Sequence, residues 1–130
     1  MMTSAELKYL MAIDGLYDGT AGISLTAIAA KMNVSKVSVY RAAERLEKNG
    51  YIRRDEKNKV VIKAYGYEQL EKYNILIQWI SNHLREKCGV SADVACNDAI
   101  GAACEFSEES RNAIAAYVHA TQMKREDAND

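Results

Sequence analysis

Cys88, Cys96 and Cys104 are the residues whose types and spacing most suggest chemistry; they are the only cysteines in 130 residues and stand at two intervals of eight along CGVSADVACNDAIGAAC. A thiolate can ligate a soft metal, join an iron–sulfur unit or sense an oxidant, while a buried Cys also serves as a small apolar packing residue. The odd count and the lack of a C-x-x-C pair argue against a secreted disulfide framework and against a ribbon or finger type of zinc site. Spacing narrows the choice. On one straight helix, Cys96 and Cys104 stand about 12 Å apart along the axis. A disulfide needs Cα atoms within about 7 Å, and a shared zinc needs bonds of about 2.3 Å. These two thiols therefore cannot act as a pair within one subunit, and a joint role requires Cys88, set before Gly89, or a second subunit. Ala95, Ala99, Ala102 and Ala103 surround them and suit close helix packing. Packing, a redox-sensing thiol and a soft-metal or cluster site all stay open.

No other constellation competes. His83 and His119 are isolated histidines, and no Ser/His/Asp, Cys/His or paired-carboxylate arrangement can be argued from spacing. There is no P-loop and no G-x-G-x-x-G, so an enzyme is not expected. The charged stretches interrupt every apolar run before about 18 residues, which excludes a membrane role, and MMTSAELKYL lacks the regions of a signal peptide. A cytoplasmic protein is expected.

Charge is divided along the chain. Residues 31–63 hold ten Lys and Arg against four Asp and Glu, a net of +6, within a chain whose formal net charge is −1. One face should therefore attract a polyanion and another repel it, which points to nucleic acid.

The elements that would position these residues can be read in order. Thr3 to Glu6 has capping-box spacing before a helix carrying Leu7, Leu10, Met11 and Ile13. Asp18 to Gly22, with two glycines, forms a loop. Ile23 to Met32 follows as a short helix with Leu25, Ile28, Ala29 and Met32 on one face. After the break Asn33-Val34-Ser35, Ser35 caps a helix from Lys36 to Asn49, and Gly50 suits its C-terminus. Val39, Ala42, Ala43 and Leu46 face inward; Lys36, Ser38, Arg41, Arg45 and Lys48 face outward. This is the pattern of a helix-turn-helix whose second helix enters a major groove.

Tyr51 to Arg54 and Lys59 to Lys63 then read as two strands joined by the turn Asp55 to Asn58, the wing of a winged helix. Lys57 and Lys59 at its tip, beside Arg53 and Arg54, suit phosphate contacts. From Gly66 to Lys87 a long helix carries Leu70, Tyr73, Ile77, Ile80 and Leu84 at heptad-like spacing. Ile75, Leu76 and Trp79 add apolar surface beyond that seam, for which a dimer interface is the economical explanation. Ser91 caps a helix through Cys104, and Ser107 caps another through Ile114, Val118 and Met123. The charged tail from Lys124 to Asp130 reads as frayed.

In these motifs the chain resembles the diphtheria toxin repressor and manganese transport regulator family of metal-dependent transcriptional repressors. The resemblance covers roughly residues 4–118 and is carried by ISLTAIA at 23–29, VSKVSV at 34–39, RLEKNGYI at 45–52 and Gly66 opening the long helix. It implies a homodimer on palindromic double-stranded operator DNA, with Ser35, Val37, Ser38 and Arg41 at the groove or the backbone. Hydroxyls donate to phosphates, Arg41 grips guanine or phosphate, and Val37 meets a thymine methyl.

The family's metal ligands do not carry over. Their positions fall on Lys8, Tyr73, Ile77, Cys96, Ile100, Ala103 and Cys104, which offer no hard donor set for manganese or ferrous iron; thiolates would select softer ions or an iron–sulfur unit.

The expected fold is mainly α: a winged helix-turn-helix DNA-binding domain over 1–64 and a helical dimerisation domain over 65–130, like the short family members without an SH3-like domain. The DNA-binding set is Ser35, Lys36, Val37, Ser38, Arg41, Arg45, Lys57 and Lys59. The alternative is a winged-helix protein-interaction module that does not bind DNA.

Overall fold

Thr3 begins the first helix, its hydroxyl accepting from the Glu6 N–H at 3.1 Å, and α1 (Ser4–Leu16) buries Leu7, Leu10 and Ile13. The hydroxyl half of the capping box forms. The Glu6 carboxylate instead accepts from Asn49 Nδ2 at 3.4 Å, which ties the start of α1 to the end of the third helix. The computed structural model describes residues 1–19 and 21–129; Thr20 in the expected loop and Asp130 in the expected tail lie outside the described residues.

Ser24 caps α2 (Leu25–Met32) by accepting from the Ala27 N–H, and Asn33 ends it in the left-handed region at φ 55°. The helix starts two residues later than Ile23 because Ile23 is held elsewhere. It exchanges both backbone hydrogen bonds with Val60, each at 2.8 Å, as an antiparallel bridge. The third helix, α3 (Lys36–Lys48), is capped by Ser35 and buries Val39, Ala42, Ala43 and Leu46, the stripe its periodicity predicts. Full burial of a side chain such as Leu46 contributes about 1.5–3 kcal/mol. Gly50 then turns the chain at φ 84°, a conformation that costs Gly least.

The hairpin is short. β1 (Ile52–Arg54) pairs antiparallel with β2 (Val60–Ile62), with Ile52 opposite Ile62 and Arg54 opposite Val60. A lone two-stranded hairpin is marginal in water. Here Ile52, Val60 and Ile62 are buried against the helices, and the Ile23 bridge adds a third backbone pairing.

α4 (Ala64–Cys88) is two residues longer at its start than the expected helix. Its first turn is pinned to the wing: Tyr65 stacks on Tyr51 with centroids 5.6 Å apart and planes 2° from parallel. The chain divides into two compact units, Met1–Leu70 and Glu71–Asp130. The first, with α1, α2, α3 and the wing, is a winged helix-turn-helix.

Among the described residues of the second unit the buried apolar side chains are Tyr73, Leu76 and Ile77 on α4, with Ala95, Ala99, Ile100, Ala103 and Cys104 on α5 (Ala92–Glu105). Ser91 stands at the cap position of α5 in extended conformation, but its hydroxyl makes no capping hydrogen bond. Ser107 does cap, accepting from the Ser110 N–H at 3.1 Å, and α6 (Glu108–Asn129) follows. The expected frayed tail is a correction: α6 continues through Lys124 to Asn129. Lys, Arg, Glu and Ala are good helix formers, so a charged run here prolongs the helix into solvent. No described helix is long and apolar enough to cross a membrane.

Candidate nucleic-acid interface

The outward face of α3 is built by its own cap. Ser35 Oγ accepts from the Ser38 N–H at 3.1 Å and donates to Ser38 Oγ at 2.9 Å. The Ser38 hydroxyl proton is thereby left to point outward, and the chained hydrogen bond strengthens it as a donor. The free N–H groups at this end also carry the positive pole of the helix, which favours a phosphate. Ser35, Lys36, Val37, Ser38, Arg41, Arg45 and Lys48 are all exposed, with Val37 at 61%. An aliphatic side chain so exposed amid cations contributes nothing to the core.

Helical spacing sorts this face. Val37, Arg41, Glu44 and Lys48 run along its middle, Ser38 and Arg45 along one flank, and Lys36, Tyr40 and Glu47 along the other. Glu44 is exposed among the cations.

The wing tip is closed by Asp55, whose Oδ1 accepts from the N–H groups of Lys57 at 2.8 Å and Lys59 at 2.9 Å. The hydrogen bond from the Lys59 N–H, assisted by that from Lys57, lowers the Asp55 carboxyl below its ordinary pKa. Asn58 takes φ 60°, as its side chain tolerates. Lys57 is exposed and Lys59 half-buried. Ser35, the six outward residues of α3 and the two wing lysines therefore lie in the same compact unit.

Arg54 departs from its expected place at the wing tip. Successive strand residues point to opposite faces; Arg53 is exposed, whereas the Arg54 side chain is only 13% exposed. Its Nη2 donates to Glu47 Oε1 at 3.0 Å, its backbone N–H donates to Glu47 Oε2 at 3.0 Å, and its guanidinium lies over the Tyr40 ring at 5.1 Å. The hydrogen bond from Arg54 holds the Glu47 carboxyl below the usual carboxylate range, and the bond to Glu47 raises Arg54 in turn. Arg54 thus joins wing to helix. Sequence reasoning missed this pairing, although two consecutive arginines on one strand already imply that one of them turns inward.

The thiols lie in the other unit. Cys104 is buried, while Cys88, at the end of α4, and Cys96 are exposed. Eight helical residues rotate the direction by about 80°, enough to put Cys96 and Cys104 in different surroundings. At the other positions singled out by the resemblance, Lys8 is half-buried on α1, Tyr73, Ile77, Ile100 and Ala103 are buried, and the Arg111 guanidinium lies over the Tyr73 ring at 4.9 Å. Among the described residues no three His, Cys, Asp or Glu side chains are grouped to hold a metal. His83 Nδ1 lies 2.7 Å from the Trp79 carbonyl one turn back, and the two rings are 4.7 Å apart, so this imidazole serves its own helix. His119 is exposed on α6.

A capped helix with an outward cationic face, preceded by a short helix and followed by a hairpin, defines a winged helix-turn-helix. Comparison with known proteins agrees with that class. The MarR family matches residues 2–59. Among solved structures, a hypothetical protein from Sulfolobus solfataricus is 21% identical with a TM-score of 0.71, over 90% of this chain and 89% of that one. The metal-dependent transcriptional regulator MtsR superposes with a TM-score of 0.72 at 19% identity, over 91% of this chain and 55% of that one. The manganese regulator SloR gives a TM-score of 0.72 at 19% identity, over 92% of this chain and 55% of its own. The chain thus spans about half the length of these two regulators. No curated protein matches it.

Proposed function

We propose that the chain is a homodimeric DNA-binding transcriptional regulator, related to the metal-dependent repressors but without their manganese or iron chemistry. The observation that carries this reading is the outward face of α3, where Ser38, Arg41, Arg45 and Lys48 are exposed on a capped helix. The net of +6 over residues 31–63 supports it. So do the match to the MarR family and the likeness to transcriptional regulators.

On this reading Arg41 grips a guanine edge or a phosphate, Ser35 and Ser38 bind backbone, Val37 meets a thymine methyl, and Lys36, Arg45, Lys57 and Lys59 neutralise phosphates. Dimerisation places two recognition helices about 34 Å apart, in successive major grooves of a palindromic site. Support for a dimer comes from apolar surface left by the second unit: Tyr117 is 62% exposed, Val94 52% and Met123 51%, and Ile75, Trp79, Ile80 and Leu84 are only half-buried. Large apolar side chains exposed or half-exposed on α4, α5 and α6 suit burial against a second copy.

The residues at the family's metal positions do not fit a hard cation. A tyrosine under a guanidinium, a lysine, an isoleucine pair and an alanine offer neither the carboxylates nor the imidazoles that manganese and ferrous iron require. No step of the proposed activity is routed through such an ion.

Titration with random-sequence duplex DNA at increasing salt tests the reading. Binding at low salt should weaken linearly on a log–log plot, with a slope of about −0.9 for each phosphate contacted. Absence of binding at low salt would overturn DNA recognition and leave a winged-helix module that uses its basic face on an acidic protein.

A further inference from the structure

Outside the residues assigned to DNA, Arg54 is a charged group of the winged helix that the proposed recognition does not use. The group holds wing and helix together at three points. Its guanidinium bonds the Glu47 carboxylate, its backbone N–H bonds the other oxygen of that carboxylate, and its plane covers Tyr40. Glu47 and Tyr40 lie on the flank of α3 two turns apart, so one wing residue spans half the recognition helix. Opposite Arg54 on the sheet stands Val60, which the Ile23 bridge fixes to the body of the unit. The base of the wing is therefore clamped on both strands, and the five residues between Arg54 and Val60 carry Lys57 and Lys59.

We infer that Glu47 and Arg54 are positioning residues that hold the wing lysines in register with the recognition helix, so that both reach the same DNA duplex. The inference rests on the DNA-binding reading. Glu47 also sits beside the cationic face, and its pairing with Arg54 removes a charge that would repel phosphate. An Arg54→Lys change is not conservative here, because an ammonium cannot bridge a carboxylate and cover a ring at once.

The test uses the full chain and random-sequence duplex DNA across a salt series. First, the double variant Lys57→Ala/Lys59→Ala should lower the slope of log K against log salt by about 1.8, two phosphates at 0.9 each, and lower affinity near 0.15 M salt by about 30-fold. Glu47→Ala should reproduce that change in slope although it removes a negative charge. Adding Glu47→Ala to the lysine double variant should then cause no further loss of slope, since both act through one contact. Glu47→Gln, which keeps one acceptor oxygen for Arg54 and turns the other into a donor, should recover part of the slope, and it serves as the informative variant if Glu47→Ala does not fold. A Glu47→Ala protein that keeps the full slope, or one whose loss adds to that of the lysines, overturns the inference. So does Glu47→Gln behaving like the lysine double variant. Failure of the unaltered protein to bind DNA is a different result, and it removes the DNA-binding reading itself.

Discussion

A Cβ on Gly66 would stand 2.2 Å from the carbonyl oxygen of Tyr51 and 2.8 Å from Ile62 Cγ2. That carbonyl accepts from the Lys63 N–H at 2.9 Å and is held by the stack of Tyr51 on Tyr65, so the backbone has little room to yield. The start of α4 can approach the wing only because residue 66 has no side chain. Gly66→Ala is accordingly expected to destabilise the winged-helix unit by about 1–3 kcal/mol through overpacking, although Ala normally gains about 1 kcal/mol over Gly within a helix. Urea unfolding measures the balance. A midpoint at or above that of the unaltered protein would contradict the close approach.

Ser35 and Ser38 form one hydroxyl pair but hold different posts. Ser35→Ala removes the cap of α3 and should cost about 1 kcal/mol. Ser38→Ala leaves the cap acceptor in place and should cost far less, while weakening DNA binding. Thermal unfolding of the two variants separates these roles, and equal losses of stability would contradict the assignment of the cap to Ser35.

The Glu47–Arg54 pair predicts a pH dependence of definite sign. Arg54 lowers the Glu47 pKa in the folded protein relative to the unfolded value of about 4.3. Its contribution is therefore fully present above that unfolded value and is lost as pH falls through the lowered folded one. With the Glu47 side chain 39% exposed, solvent screening limits the pair to about 1 kcal/mol or less. The stability difference between the unaltered protein and Glu47→Gln should stay constant from about pH 7 to 5 and shrink below about 4. A difference that grows in acid would contradict the pairing.

The thiols should divide by exposure. In the native protein Cys88 and Cys96 should react quickly with a thiol reagent, and Cys104 only on unfolding, as the burial of Cys104 alone requires. A titration in which Cys104 reacts as fast as the others would contradict its place in the core of the second unit.

What the sequence made legible followed from local chemistry. Ser35 before a periodic run, the stripe Val39, Ala42, Ala43 and Leu46, Gly50 at a positive φ and a four-residue polar turn at 55–58 each determine backbone within a few residues. The outward placement of Arg41 and Arg45 comes from the same period. What stayed hidden depends on partners distant in sequence. Ile23 looks like the first residue of α2 until Val60, far along the chain, captures its backbone. Arg54 reads as one more wing cation until Glu47 turns it inward. Asn49 and Glu6, Tyr51 and Gly66, and Tyr73 and Arg111 are likewise meetings that no local pattern encodes. At α6 charge alone predicts a frayed tail from Lys124, whereas the intrinsic helix propensity of Lys, Arg and Glu carries the helix on to Asn129.

The face of α3 as a reader of DNA is tested most directly by selecting bound duplexes from a random pool and comparing the unaltered protein with Arg41→Ala on the selected and on random sequences. Selection should enrich a two-fold symmetric site with half-sites one helical turn or a multiple of it apart. Arg41→Ala should then lose about 1–3 kcal/mol on the selected site and distinctly less on random DNA. No enriched sequence, or an Arg41→Ala protein that binds both as the unaltered chain does, would contradict DNA recognition by this helix.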